Sequence, residues 1–237
     1  KIPQFALPIA ATAILGQLFN ASDLAVVGNF TGEARNACVA AVSSNSAIVS
    51  LVVNFFVGIG LGANVVIANA LGRDDRDMVE KTVHTAILLS VLGGILMAAF
   101  GEAIAHSLLS SLNVPEDVFD MALTYLRIYF LGMPVILLYN FEAAIFRSVG
   151  DTKTHLLALA LSGVLNVLLN LFFVLVLKMT VDGVAIATVS ANAVSAVILF
   201  LKLLHTDRSI KLDLSKLRID GKALGRILRI GVPAGIQ

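Results

Sequence analysis

At 237 residues, 58% of them hydrophobic and only 14% charged, with a mean hydropathy of +0.91, the chain carries more apolar surface than a water-soluble domain of its size could bury. A net charge of +1 argues against nucleic-acid binding, which calls for a clustered basic face. A single cysteine, Cys38, excludes an internal disulfide, and no Cys/His spacing resembles a metal site.

Apolar runs near the ~20 residues needed to cross a bilayer recur along the chain. The first, Phe5–Val27, follows directly on Lys1. It is longer than a signal-peptide core and lacks a small-residue cleavage site, so it reads as a mature helix. The others are Ser46–Leu71, Thr82–Ala105, Thr124–Phe146, His155–Leu177 and Gly183–Leu204. A seventh begins near Ile227 and runs to the last residue, Gln237. These runs are continuous rather than alternating, unlike the strands of a membrane barrel. The expected fold is all-α and integral to the membrane: a six-helix transmembrane bundle over 1–204, a linker over 205–225, and the start of a further helix over 226–237.

Loop charge sets the expected orientation. Fourteen of the 17 lysines and arginines fall before the first span or after the second, fourth and sixth; Arg35, Arg127 and Lys178 lie on the other side. The positive-inside rule then places the N-terminus in the cytoplasm, and the expected location is the plasma (inner) membrane. The basic connection from His205 to Gly225 reads as a plain cytoplasmic linker. Phe5-Ala-Leu-Pro8-Ile-Ala-Ala at the start and Ile230-Gly-Val-Pro233-Ala-Gly-Ile at the end share a proline in the same apolar setting. That similarity suggests a second six-helix half, since transporters are often built from repeats.

Polar groups inside the spans point to function. Asp23 interrupts an otherwise uncharged stretch, and an ionisable group in hydrocarbon marks an ion or substrate path by default. Asn166 and Asn170 share one helix face at i, i+4, and Thr188 sits just inside the start of the sixth span. With ~1.5 Å per residue, Asp23, Asn170 and Thr188 lie roughly 8–11 Å below the outer surface, with Asn166 a turn deeper. Oxygen ligands of this kind suit a proton on the carboxylate or a hard cation such as sodium. The competing reading makes the asparagines and threonine interhelical hydrogen-bond glue. Pro8 and Pro134 are kinks or hinges. Gly58-Ile-Gly-Leu-Gly62 sits inside a span with no strand before it, which favours close helix packing over a phosphate loop. Arg127 and Glu142 are expected at opposite interfaces of the fourth span, Glu142 being a candidate secondary proton site. His84, His106, His155 and His205 are expected at interfaces as well. No nucleophile–base constellation is present, so an enzyme is not expected.

Several motifs resemble one family. Asp23-Leu-Ala-Val-Val-Gly28, Ala68-Asn-Ala-Leu-Gly72-Arg-Asp-Asp, Phe146-Arg-Ser-Val-Gly150-Asp-Thr-Lys153, Leu165-Asn-Val-Leu-Leu-Asn170 and Gly183-Val-Ala-Ile-Ala-Thr188 follow one another as in the multidrug and toxic compound extrusion (MATE) family. The resemblance covers the whole chain as an N-terminal lobe plus the start of helix 7. It implies a twelve-helix antiporter of two six-helix lobes in the lipid bilayer, exporting organic cations or amphipathic toxins while protons or sodium ions enter. No cofactor is implied beyond that coupling ion, and no nucleic acid. In such transporters an N-lobe ion site falls here on Asp23, Asn166, Asn170 and Thr188, and Pro8 matches the proline at which the first helix bends. Several relatives have an aspartate where this chain has Asn170. With one carboxylate instead of two, a proton, which neutralises Asp23 outright, is expected over sodium. A lipid-linked sugar flippase, which shares the fold, and a channel-like or structural membrane protein are the alternatives.

Overall fold

The computed structural model describes residues 14–15, 18, 21–29, 31, 35–112 and 114–237, and all regular structure among them is helical. Residues 21–29 form the described part of the first helix, α1. There follow α2 (Arg35–Gly72), α3 (Arg76–Ser111), α4 (Glu116–Leu131), α5 (Met133–Ser148), α6 (Thr152–Leu171), α7 (Val181–His205) and α8 (Gly221–Ile236). One π turn, Phe172–Val176, prolongs α6 directly beyond Asn170. Pro8 lies outside the described residues.

Helices α2, α3, α6 with its π turn, and α7 are each long and apolar enough to cross a membrane. The fourth expected span is not one rod: α4 and α5 meet at 52°. The break falls at Gly132, two residues before Pro134, whose missing N–H cannot continue the ladder. α2 begins at Arg35, well before the expected Ser46, and α8 at Gly221, before the expected Ile227.

Three aspartates at the basic end of the bundle start helices. Asp75 accepts the Met78 N–H at 3.0 Å, Asp151 the Thr154 N–H at 3.0 Å, and Asp220 the Lys222 and Ala223 N–H groups at 3.0 and 2.9 Å. Before Asp151, Gly150 takes a φ of 74°, a left-handed conformation that a side chain would strain. Much of the Arg147-to-Lys153 motif is therefore turn and cap chemistry.

The connection after α7 is a docked strap rather than a free linker. Ile210 and Leu212 are buried, and Leu212 N–H donates to Leu203 O at 3.0 Å. His84, near the start of α3, is also buried. It donates Nδ1–H to Glu80 O at 2.7 Å and accepts the Asp213 N–H on Nε2 at 3.1 Å. Lys216 pairs with Glu80 at 3.1 Å, and Arg208 with Asp151 at 2.9 Å. Burial opposes ionisation of Asp151, but the Thr154 N–H and hydroxyl, Arg208 and Lys202 together hold its carboxyl below the usual range. That stabilisation is complete above the ordinary aspartate pKa and is lost as pH falls through the depressed value in the fold. Asp151→Ala is therefore expected to cost about 1–2 kcal/mol at pH 7, read as a lower unfolding midpoint. The difference from the parent should shrink on acidification below about pH 4; a difference that does not change with pH would refute the ion-pair part.

The core lies where α5 packs on α2, α3 and α7, around Phe141, Phe146, Leu137 and Leu199. Outward, Leu157, Leu161, Val164 and Leu168 form one exposed apolar stripe along α6, the face a bilayer would cover. The glycines of the second span do serve close packing. A Cβ on Gly58 or Gly62 would run into the α8 backbone at Gly235 or Ile227, whereas Gly60 faces Phe141 and Ala144 of α5 at ordinary contact distance.

Candidate functional site

Three helices bring the four expected site residues into one hydrogen-bonded cluster. Asn170 Nδ2 on α6 donates to Asp23 Oδ1 on α1 at 2.6 Å and to Asn166 Oδ1 at 3.2 Å. Asn166 Nδ2 donates to Thr188 Oγ1 on α7 at 3.1 Å. The single Thr188 hydroxyl hydrogen lies between Asp23 Oδ2 at 3.3 Å and Val184 O at 3.0 Å. Asp23, Asn166 and Asn170 are all buried. The i, i+4 spacing of the asparagines puts both on the α6 face that meets α7, and Thr188 lies about two turns into α7.

The cluster is short of hydrogens. Both amide hydrogens of Asn170 are used, while its own Oδ1 is buried without a partner. Among the described residues no Lys, Arg or His pairs with Asp23. The arrangement can thus take up one positive charge in either of two ways. A proton on Asp23 adds the missing donor, and a turn of the Asn170 amide points Oδ1 at it. Alternatively, a cation would draw on Asp23, the two asparagine carbonyls and the Thr188 hydroxyl.

Asp23 also borders a cavity of about 320 Å³, lined by Ser43, Ser46 and Ser50 of α2 and by Tyr125 and Tyr129 of α4, besides apolar groups. Sequence reasoning missed these hydroxyls. The available signal was their spacing: serines at i, i+3, i+7 and tyrosines at i, i+4 each occupy one helix face. The two tyrosine rings stack with centroids 6.1 Å apart. Cation-accepting aromatic faces and a carboxylate in one cavity suit an organic cation.

Glu142 does not join this cluster. It is fully buried in α5, with neither carboxyl oxygen hydrogen-bonded, which corrects its interfacial placement. Arg127 instead pairs with Glu102 of α3 at 3.1 Å. His155 is likewise buried, against Tyr139 at a ring distance of 5.9 Å. Asn45 and Asn64 serve as glue, donating to Ala122 O and Ala144 O at 2.9 Å each.

A family model described as MatE matches residues 8–172. The chain is 29% identical to the probable multidrug resistance protein YoeA of Bacillus subtilis, over 98% of this chain and 51% of the relative. It is 30% identical to the probable multidrug resistance protein YpnP of the same organism, again over 98% and 51%. Among solved structures, the crystal structure of MATE in the bent conformation superposes with a TM-score of 0.91 at 24% identity, covering 99% of this chain and 52% of that one. The chain spans about half the length of the curated relatives it matches.

Proposed function

This chain belongs to the MatE family of multi-pass membrane proteins, and from that premise we propose that it forms the N-terminal lobe of a twelve-helix antiporter. The whole protein would export organic cations or amphipathic drugs by alternating access while protons enter. The basic loops would lie in the cytoplasm and the Asp23 end of the bundle outside, on the positive-inside argument. The observation that carries the reading is the Asp23–Asn170–Asn166–Thr188 cluster beside a cavity with hydroxyl and aromatic walls.

In the outward-open state, an ionised Asp23 gives the cavity its negative charge and holds a cationic substrate. Protonation from outside removes that charge and supplies the hydrogen the cluster lacks. Asn170 and Thr188 then re-pair, and α1 shifts because Asp23 is its link to both. The substrate, having lost its counter-charge, leaves; release of the proton to the cytoplasm restores the starting arrangement. Sodium coupling is the second reading, supported by the three side-chain oxygens that could join Asp23 around an ion. A flippase for anionic lipid-linked sugars is less well supported, since among the described residues no Lys or Arg lines the Asp23 cavity.

The test is efflux of a fluorescent organic cation from proteoliposomes holding the full-length protein, with proton and sodium gradients imposed separately. A proton gradient alone is expected to drive efflux and a sodium gradient alone is not. The reverse pattern would replace the proton by sodium, and efflux indifferent to both gradients would reject antiport.

A further inference from the structure

A second cavity, also of about 320 Å³, lies at the basic end of the bundle between the end of α2 and the first half of α8. Its wall is mostly apolar, from Val66, Ala70 and Ile230, and three arginines are among its lining residues: Arg73, Arg226 and Arg229. None of the three forms an ion pair among the described residues. Asn69 and one carboxylate, Asp75, complete the lining. Asp75 Oδ1 already accepts the Met78 N–H at 3.0 Å as the cap of α3.

Two features set this apart from an ordinary basic surface. Gathering three like charges around one cavity is unfavourable unless an anion sits among them. The cavity is also held by packed backbones: Gly62 lies against the backbone of Ile227 and Gly231, which keeps Arg226 and Arg229 on the flank of α2. Gly62 precedes the end of α2 by about 15 Å of helix. The two α8 arginines are therefore exposed alongside the last turns of α2, where apolar Val66 and Ala70 border the same cavity. Guanidinium forks match phosphate oxygens two at a time, and basic pockets between membrane helices hold phosphorylated headgroups.

We propose that this cavity binds a phosphate-bearing anion, of the kind an anionic phospholipid headgroup presents, bridging the first lobe and the start of the second. Arg73 holds it from the turn after α2, Arg226 and Arg229 from α8, and Asn69 donates a further hydrogen bond. Occupancy ties α8 to α2 and so favours the arrangement in which the two lobes meet at this end.

The test is native mass spectrometry of the full-length protein in detergent, titrated with phosphatidylglycerol, phosphatidylcholine or inorganic phosphate. Phosphatidylglycerol is expected to bind the parent on the order of tenfold or more tightly than it binds the R73Q/R226Q/R229Q variant. A variant losing three cations outside the cavity, K211Q/R218Q/K222Q, should bind as the parent does. Competition by millimolar inorganic phosphate would assign the site to a free phosphate; none would assign it to the lipid. If the triple variant fails to fold, R226Q and R229Q are read singly, each expected to weaken binding several-fold. Equal binding by parent and cavity variants, or equal losses in both triple variants, would overturn the proposal. The readout is independent of transport, so its failure and the failure of antiport are separable.

Discussion

Asp23→Asn is expected to reduce gradient-driven efflux to the rate of protein-free liposomes while leaving the fold intact. Asparagine keeps the shape of the side chain, and its Oδ1 can still accept the Asn170 amide now 2.6 Å from Asp23 Oδ1. Nothing in the packing has to move. What disappears is the ability to alternate between charged and neutral, on which both substrate capture and proton coupling rest. Since a buried carboxylate without a cationic partner is destabilising, the variant is expected to melt at or above the parent midpoint. The tyrosines remain available to a substrate, so binding and coupled transport must be measured separately. Undiminished coupled efflux in Asp23→Asn would demote the residue to a structural role and move the coupling site to the second lobe.

Gly62→Val is expected to have the second large effect, on stability and transport together. A Cβ at Gly62 would land on the Ile227 carbonyl, with the Gly231 backbone close behind, so α8 must move away from α2. Overpacking of this kind costs typically about 1–3 kcal/mol. On the proposed two-lobe architecture α8 begins the second lobe, so the displacement would also open the contact between lobes at the basic end. Gly60→Ala supplies the control. Its neighbours are the Ala144 and Phe141 side chains at 3.7 Å, and alanine is the better helix former, so its midpoint should change little. Thermal unfolding and efflux of both variants decide the matter. A Gly62→Val protein that melts and transports like the parent would show that the α2–α8 seam is not needed.

Most of the first span lies outside the described residues; the order of the second to sixth spans was legible because lipid-facing residues leave long apolar runs that no soluble fold would use. Their ends were less so. α2 extends back to Arg35 through Ser43, Ser44 and Asn45, which lower the local hydropathy. Ser43 lines the Asp23 cavity and Asn45 bonds to α4, while Ser44 donates back to Ala40 O within α2. Pro134 signalled a bend, but the neighbouring Gly132 is where the helix breaks, packed against Val189 of α7. The meeting of Asp23, Asn166, Asn170 and Thr188 followed from depth arithmetic alone, since helices of known direction place residues by counting. Tyr125 and Tyr129 escaped that arithmetic because a tyrosine near a span end reads equally well as an interfacial anchor. Glu142 misled for a related reason: α5 continues to Ser148, so a residue counted as terminal lies well inside a packed helix.

The 52° elbow between α4 and α5 has a mechanical consequence. At its apex, Gly132 is pressed against Val189, the neighbour of Thr188 along α7. Thr188 is bonded to Asn166 and reaches Asp23. A displacement of Thr188 along its axis carries Val189 with it, and the elbow must flex in response. The fourth span would then act as a bell crank rather than a strut: α4 carries the tyrosines of the Asp23 cavity and α5 carries buried Glu142. On the proposed mechanism, a change of charge at Asp23 would thereby gain leverage on a second carboxylate on the far arm of the elbow.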